Sequence, residues 1–284
     1  MKTLDPLTIP FIALAILVCV AAPVVAAILA CRKGGAKFRT VPAGAGAFVV
    51  FAYILEQIAH VVLLQLIPAT KAFLTGTPWA FALYGGLMAG IFEETARLLV
   101  FLFVLKRFRA WKDGIGYGVG HGGAEALLIG GLGNVNNLII AVLIATGASD
   151  SLAAMVPAGA LDAVIDAIAG TAPSMFLVAM LERLLAMGIQ VGLSVLVLLA
   201  VKHRGWPRVG LFAGAILFHA AIDIPAVFYQ LGRLPLWAVE GAVAVLCAGS
   251  LAFAFLARRF PAFKEPTAPP PDAPPLLTDA STAP

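Results

Sequence analysis

The sequence predicts an all-α protein, a polytopic bundle of transmembrane helices, and three observations carry that expectation. Of the 284 residues, 61% are hydrophobic and only 12% are charged, with a mean hydropathy of +0.99; a soluble domain carries about 25% charge. Apolar runs of about 20 residues recur along the chain, long enough to cross a hydrocarbon core of about 30 Å. Lysine and arginine gather in alternate connections between those runs, the mark of a fixed membrane orientation.

Seven spans are expected, at 8–31, 41–67, 79–105, 114–146, 173–201, 209–230 and 235–257. The first is uninterrupted and ends on Arg32 and Lys33. The third is greasy at both ends but carries Glu93, Glu94 and Arg97 in its middle. The fourth is overlong and glycine-rich, so a tilt, a break or an extension beyond the bilayer is expected; Asn134, Asn136 and Asn137 mark its outer end or the break. Connections after spans one, three, five and seven hold Arg32, Lys33, Lys37, Arg39, Lys106, Arg107, Arg109, Lys112, Lys202, Arg204, Arg208, Arg258, Arg259 and Lys264. The opposite side holds only Lys2, Lys71 and Arg233. The amino terminus is therefore placed outside and the carboxyl terminus in the cytoplasm.

The domain division that follows is a membrane domain over 1–260, with its core motifs at 79–230, and a proline-rich cytoplasmic tail, 261–284, expected to be disordered. Within the outer segment 147–172, "GALDAVIDAIAG" reads as a short amphipathic helix on the membrane surface. The net charge of +4 and pI near 9.1 do not imply a nucleic-acid partner, because the basic residues flank apolar spans. Cys19, Cys31 and Cys247 lie far apart and give neither a disulfide framework nor a thiolate zinc pattern. "ILAC", ending at Cys31, is read as the end of a plain first span rather than a lipoprotein cleavage site, since Leu29 is bulky and Arg32 and Lys33 follow at once.

Ionisable residues inside the spans are the informative exceptions, because a charge at the bilayer centre costs about 2.5–3.5 kcal/mol on insertion scales. Glu93, Glu94 and Arg97 lie in span three, His121 and Glu125 in span four, and His219 and Asp223 in span six. At 1.5 Å rise per residue, all fall in one slab from mid-membrane to slightly cytoplasmic. Glu93/Arg97, His121/Glu125 and His219/Asp223 each repeat the i, i+4 spacing that puts two groups on one helix face, and Glu94 reaches Arg97 at i+3. Two histidines and several carboxylates converging from three helices make a metal or hydrolytic constellation, with Glu93, His121 and His219 expected within about 8 Å of each other if they share one water or one metal. The glycines of "GIGYGVGHGGAEALLIGGLG" let helices approach closely; no strand precedes them, so they are no nucleotide fingerprint.

At these residues the chain resembles the type II CAAX-protease-like superfamily of intramembrane peptidases, and most closely its YhfC-like branch. The motifs are Glu93-Glu94-Thr95-Ala96-Arg97, Tyr117-Gly118-Val119-Gly120-His121 and His219-Ala220-Ala221-Ile222-Asp223, in order and each at mid-membrane. "GYGVGHGGAEAL" and "ERLLAMGIQVGLSVLVL" look most like the YhfC-like branch. Arg97 stands one residue earlier than in the commoner form of the double-glutamate motif, at an i+4 spacing from Glu93 that keeps good ion-pair geometry. The resemblance implies a bacterial cytoplasmic membrane and an endopeptidase acting on a membrane-embedded or membrane-associated peptide or protein.

Glu93 is then the candidate general base that activates water, with Glu94 and Arg97 as a supporting ion pair. His121 and His219 are candidate metal ligands or hydrogen-bonding partners of the water and the oxyanion. Asp223 orients His219, ligates, or supports the oxyanion, and Glu125 is a third ligand or a partner of His121. Two readings stand side by side: a Zn2+ site on His121, His219 and one of Glu94, Glu125 or Asp223, or a metal-free site in which Glu93 and His121 activate water and His219 and Asp223 stabilise the tetrahedral oxygen. Glu56/His60 and Glu182/Arg183 read as packing contacts. The competing classes are a proton- or cation-coupled transporter, which would show two related halves with matching broken helices, and a catalytically silent scaffold.

Overall fold

The computed structural model describes residues 3–154 and 159–264, and among them every regular element is a helix. In chain order these are α1 (Thr8–Arg32), α2 (Thr40–Leu66), a short α3 (Pro68–Gly76), α4 (Pro78–Leu99, prolonged by a π-helical turn at Val100–Val104), α5 (Trp111–Ala145), a 3-10 turn at Ser149–Ala154, α6 (Leu161–Ala169), α7 (Ser174–Lys202), α8 (Trp206–Gln230) and α9 (Leu236–Ala257). Six of them, α1, α2, α5, α7, α8 and α9, are long and apolar enough to cross a membrane. The expected third span, α4, has the same length but carries Glu93, Glu94 and Arg97, all buried. α4 packs most extensively on α8 and also meets α2 and α7.

The four tryptophans mark both boundaries of the bundle. Trp79 and Trp237 begin α4 and α9 on the outer side, while Trp111 and Trp206 begin α5 and α8 on the cytoplasmic side. Indole rings favour the headgroup level, where an apolar body and a polar N–H are both satisfied; Trp111 donates from Nε1 to the Ala254 carbonyl at 2.6 Å. At the cytoplasmic start of α5, Asp113 accepts the Ala110 N–H at 3.0 Å, satisfying one of the donors a helix start leaves orphaned.

The glycines of α5 explain its central position. Gly114, Gly118 and Gly122 face α7: a Cβ at Gly118 would collide with the Val191 and Gln190 backbone. Gly116 and Gly120 face α2: a Cβ at Gly120 would fall on the Val41 carbonyl. Two small-residue stripes on one helix thus let two neighbours approach at once, and α5 runs unbroken past Asn134, Asn136 and Asn137 to Ala145. Of the tilt, break or extension expected of this span, the helix shows no break and is 35 residues long; it contains a π-helical stretch, Ala126–Leu132, and such turns absorb an extra residue and recur at functional sites.

The largest apolar cluster packs Phe101, Leu105, Tyr117, Leu193, Val197 and Leu198 on the cytoplasmic side and extends along α9 to Val243 and Val239. The segment expected as a surface helix forms α6, whose Ile168 packs with Ile12, Ile140 and Phe176. Most of the tail expected to be disordered lies outside the described residues. Its first residues, Pro261–Phe263, form a 3-10 turn with Phe263 packed against the core.

Candidate active site

α4 supplies the middle of the site. Glu93, Glu94 and Arg97 share one face through their i+3 and i+4 spacing, and Arg97 meets Glu94 at 2.5 Å and Glu93 Oε2 at 3.5 Å. Arg97 is fully buried. An uncompensated guanidinium there would be costly, and a carboxylate at close range with further hydrogen bonds is what makes such a charge tolerable. Arg97 also donates to Gln190 Oε1 and, through Nε, to Ser194 Oγ at 3.3 Å, both on α7.

His121 on α5 donates from Nε2 to Glu93 Oε2 at 2.8 Å. Its ring is held by two aromatic neighbours: Tyr117, one turn earlier, stacks at a centroid distance of 6.0 Å, and Phe48 of α2 meets it edge-on at 5.3 Å. The aromatic residue four positions before the histidine is thus a ring clamp. His121 Nδ1 and the Tyr117 hydroxyl are buried without a protein partner.

His219 on α8 approaches from the other side. Its Nδ1 donates to Glu94 Oε1 at 2.7 Å, while Nε2 lies 3.9 Å from Glu93 Oε1 and 3.4 Å from Asp223 Oδ2. Gly86 and Gly90 on α4 permit this, since a Cβ at either would press on the α8 backbone at Ala220 or Ile216. Two residues beyond Asp223, Pro225 removes an amide from the helix ladder. Glu93 therefore lies well inside the bound of about 8 Å from both His121 and His219, at 2.8 Å and 3.9 Å.

Glu125 is placed elsewhere. Its carboxylate pairs with Arg183 at 2.7 Å and accepts from Gln190 Nε2 at 2.7 Å, and Arg183 also bonds Glu182. The trio His121, His219 and Glu125 is therefore not assembled as a ligand set: one imidazole is held by Glu93 and the carboxylate is occupied by a guanidinium and an amide. Among the described residues, no group of three or more His, Cys, Asp or Glu side chains is preset to hold a metal ion; His219 is the imidazole that lies near further carboxylates, Glu94 and Asp223. Glu56 and His60 pair at 3.3 Å, and His60 meets the Tyr84 hydroxyl at 2.6 Å, away from these contacts.

Gln190 is the residue that a search for charged groups misses. Buried on α7, it donates from Nε2 to Glu93 Oε2 at 3.0 Å and to Glu125, and accepts from Arg97. A lone amide at mid-membrane depth in "MGIQVGLSVL" was its signal, because an unpaired amide in hydrocarbon is expensive and must find partners.

A cavity of about 340 Å³ opens onto Glu93 Oε1 and His219. Its polar wall includes Glu56, Glu125, Glu182, Arg183, Gln190 and Asp223, and its apolar wall is built from Ala, Ile and Val with the rings of Phe48 and Tyr53. Glu93 Oε1 and His219 Nε2, the latter also 3.4 Å from Asp223 Oδ2, are 3.9 Å apart at this cavity, a separation that lets one water sit within hydrogen-bonding distance of both.

Residues 16–244 match the family described as YhfC intramembrane metalloprotease. The chain is also 38% identical over 232 residues to a Bacillus subtilis (strain 168) protein described as "Uncharacterized membrane protein YhfC", covering 80% of this chain and 88% of that one. No solved structure matches.

Proposed function

The chain belongs to the YhfC intramembrane metalloprotease family, and we propose that it is an intramembrane endopeptidase in which Glu93 activates water against a peptide bond. The observation that carries this reading is the opposition of Glu93 Oε1 and His219 Nε2 at 3.9 Å on the cavity wall, with Glu93 Oε2 fixed by His121 and Gln190. One oxygen of the carboxylate is anchored and the other faces the cavity. A general base needs both properties, a fixed orientation and a free lone pair.

In the proposed reaction, a water between Glu93 Oε1 and His219 gives its proton to Glu93 as its oxygen attacks the carbonyl carbon. The carbonyl π electrons move onto oxygen, and His219 Nε2 donates to that tetrahedral oxygen. On collapse the C–N bond breaks, Glu93 returns the proton to the leaving amine, and the products are a carboxylic acid and an amine. Glu94 orients His219 through Nδ1 and Arg97 balances the two glutamates. Asp223 holds His219 from the cavity side. The substrate is a peptide segment of a membrane-embedded or membrane-associated protein, in a bacterial cytoplasmic membrane.

The test is cleavage of a membrane-spanning peptide library by the purified full-length protein, its Glu93→Gln and His219→Ala variants, with bound zinc measured on the same samples. Loss of cleavage in both variants is expected. No cleavage by any form, together with ion flux in liposomes, would replace the peptidase with a transporter.

A further inference from the structure

The cavity is not centred on the bilayer. Its lining runs from the middle of the helices, at Gln190 on α7 and His219 on α8, with Phe48 of α2 its innermost residue, to their outer ends: Glu56 and Gln57 on α2, Glu182 and Arg183 near the outer start of α7, Gln230 at the outer end of α8, and Val239 near the outer start of α9. A second space, about 530 Å³, lies between the outer halves of α5 and α7 and is bordered by Asn134, Asn137, Thr171 and Met175. Ile129, Glu182 and Arg183 border both spaces. One ion-paired wall thus separates the space over Glu93 from an outer space whose lining mixes Asn134, Asn137 and Thr171 with Met175, Phe176 and Ala179.

The cytoplasmic side has the opposite character. From Ile189 to Val201, every residue of α7 except Leu196 is buried, whereas between Ser174 and Gly188 only Phe176 is. Below His121 the path is filled by Tyr117, Phe101, Leu193 and Leu198, each no more than 2% exposed. The glycine stripes of α5 bring α2 and α7 into backbone contact there, leaving no room for a chain to pass.

Combined with the orientation set by the basic connections, we propose that the cavity is served from the extracytoplasmic side, through the space bordered by Asn134, Asn137 and Thr171 and past the Glu125–Arg183–Glu182 wall. Resting on the peptidase reading, the substrate class is then the extracytoplasmic segment of a membrane-inserted chain, not a cytoplasmic tail. In the outer space Asn134 and Asn137 each donate one amide hydrogen within α5 and Thr171 donates to the Ala167 carbonyl, which leaves the second amide hydrogens and the Asn137 side-chain carbonyl to pair with an extended main chain. Arg183, bridging the carboxylates of both spaces, is the residue an arriving chain must pass.

Accessibility tests this without requiring activity. In full-length protein with Cys19, Cys31 and Cys247 replaced by Ala, single cysteines are placed at Asn137 in the outer space, at Ala226 or Ala89 in the cavity, and at Val197 in the packed side. Asp150→Cys and Phe38→Cys report the outer and cytoplasmic connections. A charged, membrane-impermeant methanethiosulfonate is applied to spheroplasts and to inverted vesicles, using variants that stay monodisperse in detergent. The expected result is labelling of Asn137→Cys and a cavity position in spheroplasts, loss of both in inverted vesicles, and no labelling of Val197→Cys from either side. Labelling of the cavity positions only from the cytoplasmic side, from both sides alike, or from neither overturns the route. Reversed labelling of the two connection controls overturns it as well. Outer labelling with no peptide cleavage would sink the peptidase and leave the route standing.

Discussion

Two arginines lie inside this membrane bundle, each between two carboxylates, and they are held in different ways. Arg97 is fully buried and meets Glu93 and Glu94 on its own helix, one turn away, with Gln190 and Ser194 of α7 completing its donors. Arg183 is 19% exposed in its side chain and joins Glu125 on a neighbouring helix to Glu182 beside it in sequence. The first network is closed by i+3 and i+4 geometry and fixes the groups that do the proposed chemistry. The second is a strut between helices on the wall of two cavities. Gln190 connects them, with Glu93 on one side of its amide and Glu125 on the other. What separates a catalytic carboxylate from a structural one here is whether an oxygen is left facing the cavity, not the presence of a buried arginine beside it.

That comparison breaks most readily at the two carboxylates. Glu93→Gln is expected to reduce peptide cleavage by about 10²–10⁴-fold, the usual contribution of a general base, while keeping the fold because an amide oxygen still accepts from His121. Glu125→Gln should leave cleavage within about tenfold, since it bears no role in the proton transfer. Initial rates on one peptide substrate measure both. Equal losses would make Glu125 part of the chemistry and dissolve the distinction.

Charge balance gives the next largest effect. Arg97→Met leaves Glu93 and Glu94 buried without their cation, a change expected to cost about 3–5 kcal/mol. Arg183→Met should cost clearly less, because Glu182 has a third of its side chain exposed and water takes over part of the compensation. Thermal midpoints in one detergent compare the two directly. A larger loss for Arg183 would reverse the ranking of the networks.

The link between them comes third. Gln190→Leu strands Glu125 Oε2 and takes one partner each from Glu93 Oε2 and Arg97 Nη2, which keep each other, at about 1–3 kcal/mol for a buried group losing its partner. Because Gln190 positions Glu93 rather than touching the reacting atoms, cleavage should fall through kcat with KM little changed, and Gln190→Glu should not restore it, since a third carboxylate would face Glu93. A KM effect alone would assign Gln190 to the substrate instead.

Much of this was legible in the sequence because membranes make polar residues expensive. Glu93, Glu94, Arg97, His121, His219 and Asp223 stood out by charge and agreed in depth, and the helix rise alone predicted that they meet. Pairing across helices was not legible. The i+4 spacing of His121 and Glu125 suggested a shared partner, yet Glu125 turns to Arg183, because helix spacing fixes a face but not which neighbour lies against it. Gln190 escaped because uncharged amides carry a weaker penalty and so a weaker signal. The offset of the cavity towards the outer side depends on how tightly α2, α5 and α7 close on the other side. The glycine stripes announced close packing there without saying which helices it joined.

The smallest expected effect lies at the rim, at Glu182. Its carboxylate bonds Arg183 and borders both spaces, but it is the most exposed member of the second network. Removing its charge by Glu182→Gln leaves Arg183 paired to Glu125, so no buried ion is orphaned. The stability change is expected at or below about 1 kcal/mol, the range of partly exposed ion pairs, and read as a small shift in thermal midpoint. If Glu182 serves the outer wall, the same substitution weakens one of the two anchors of Arg183 and should speed labelling of Ala89→Cys from the extracytoplasmic side. A large stability loss with unchanged labelling would mean that the Arg183 network holds the bundle as Arg97 does, and that the two arginines do the same work.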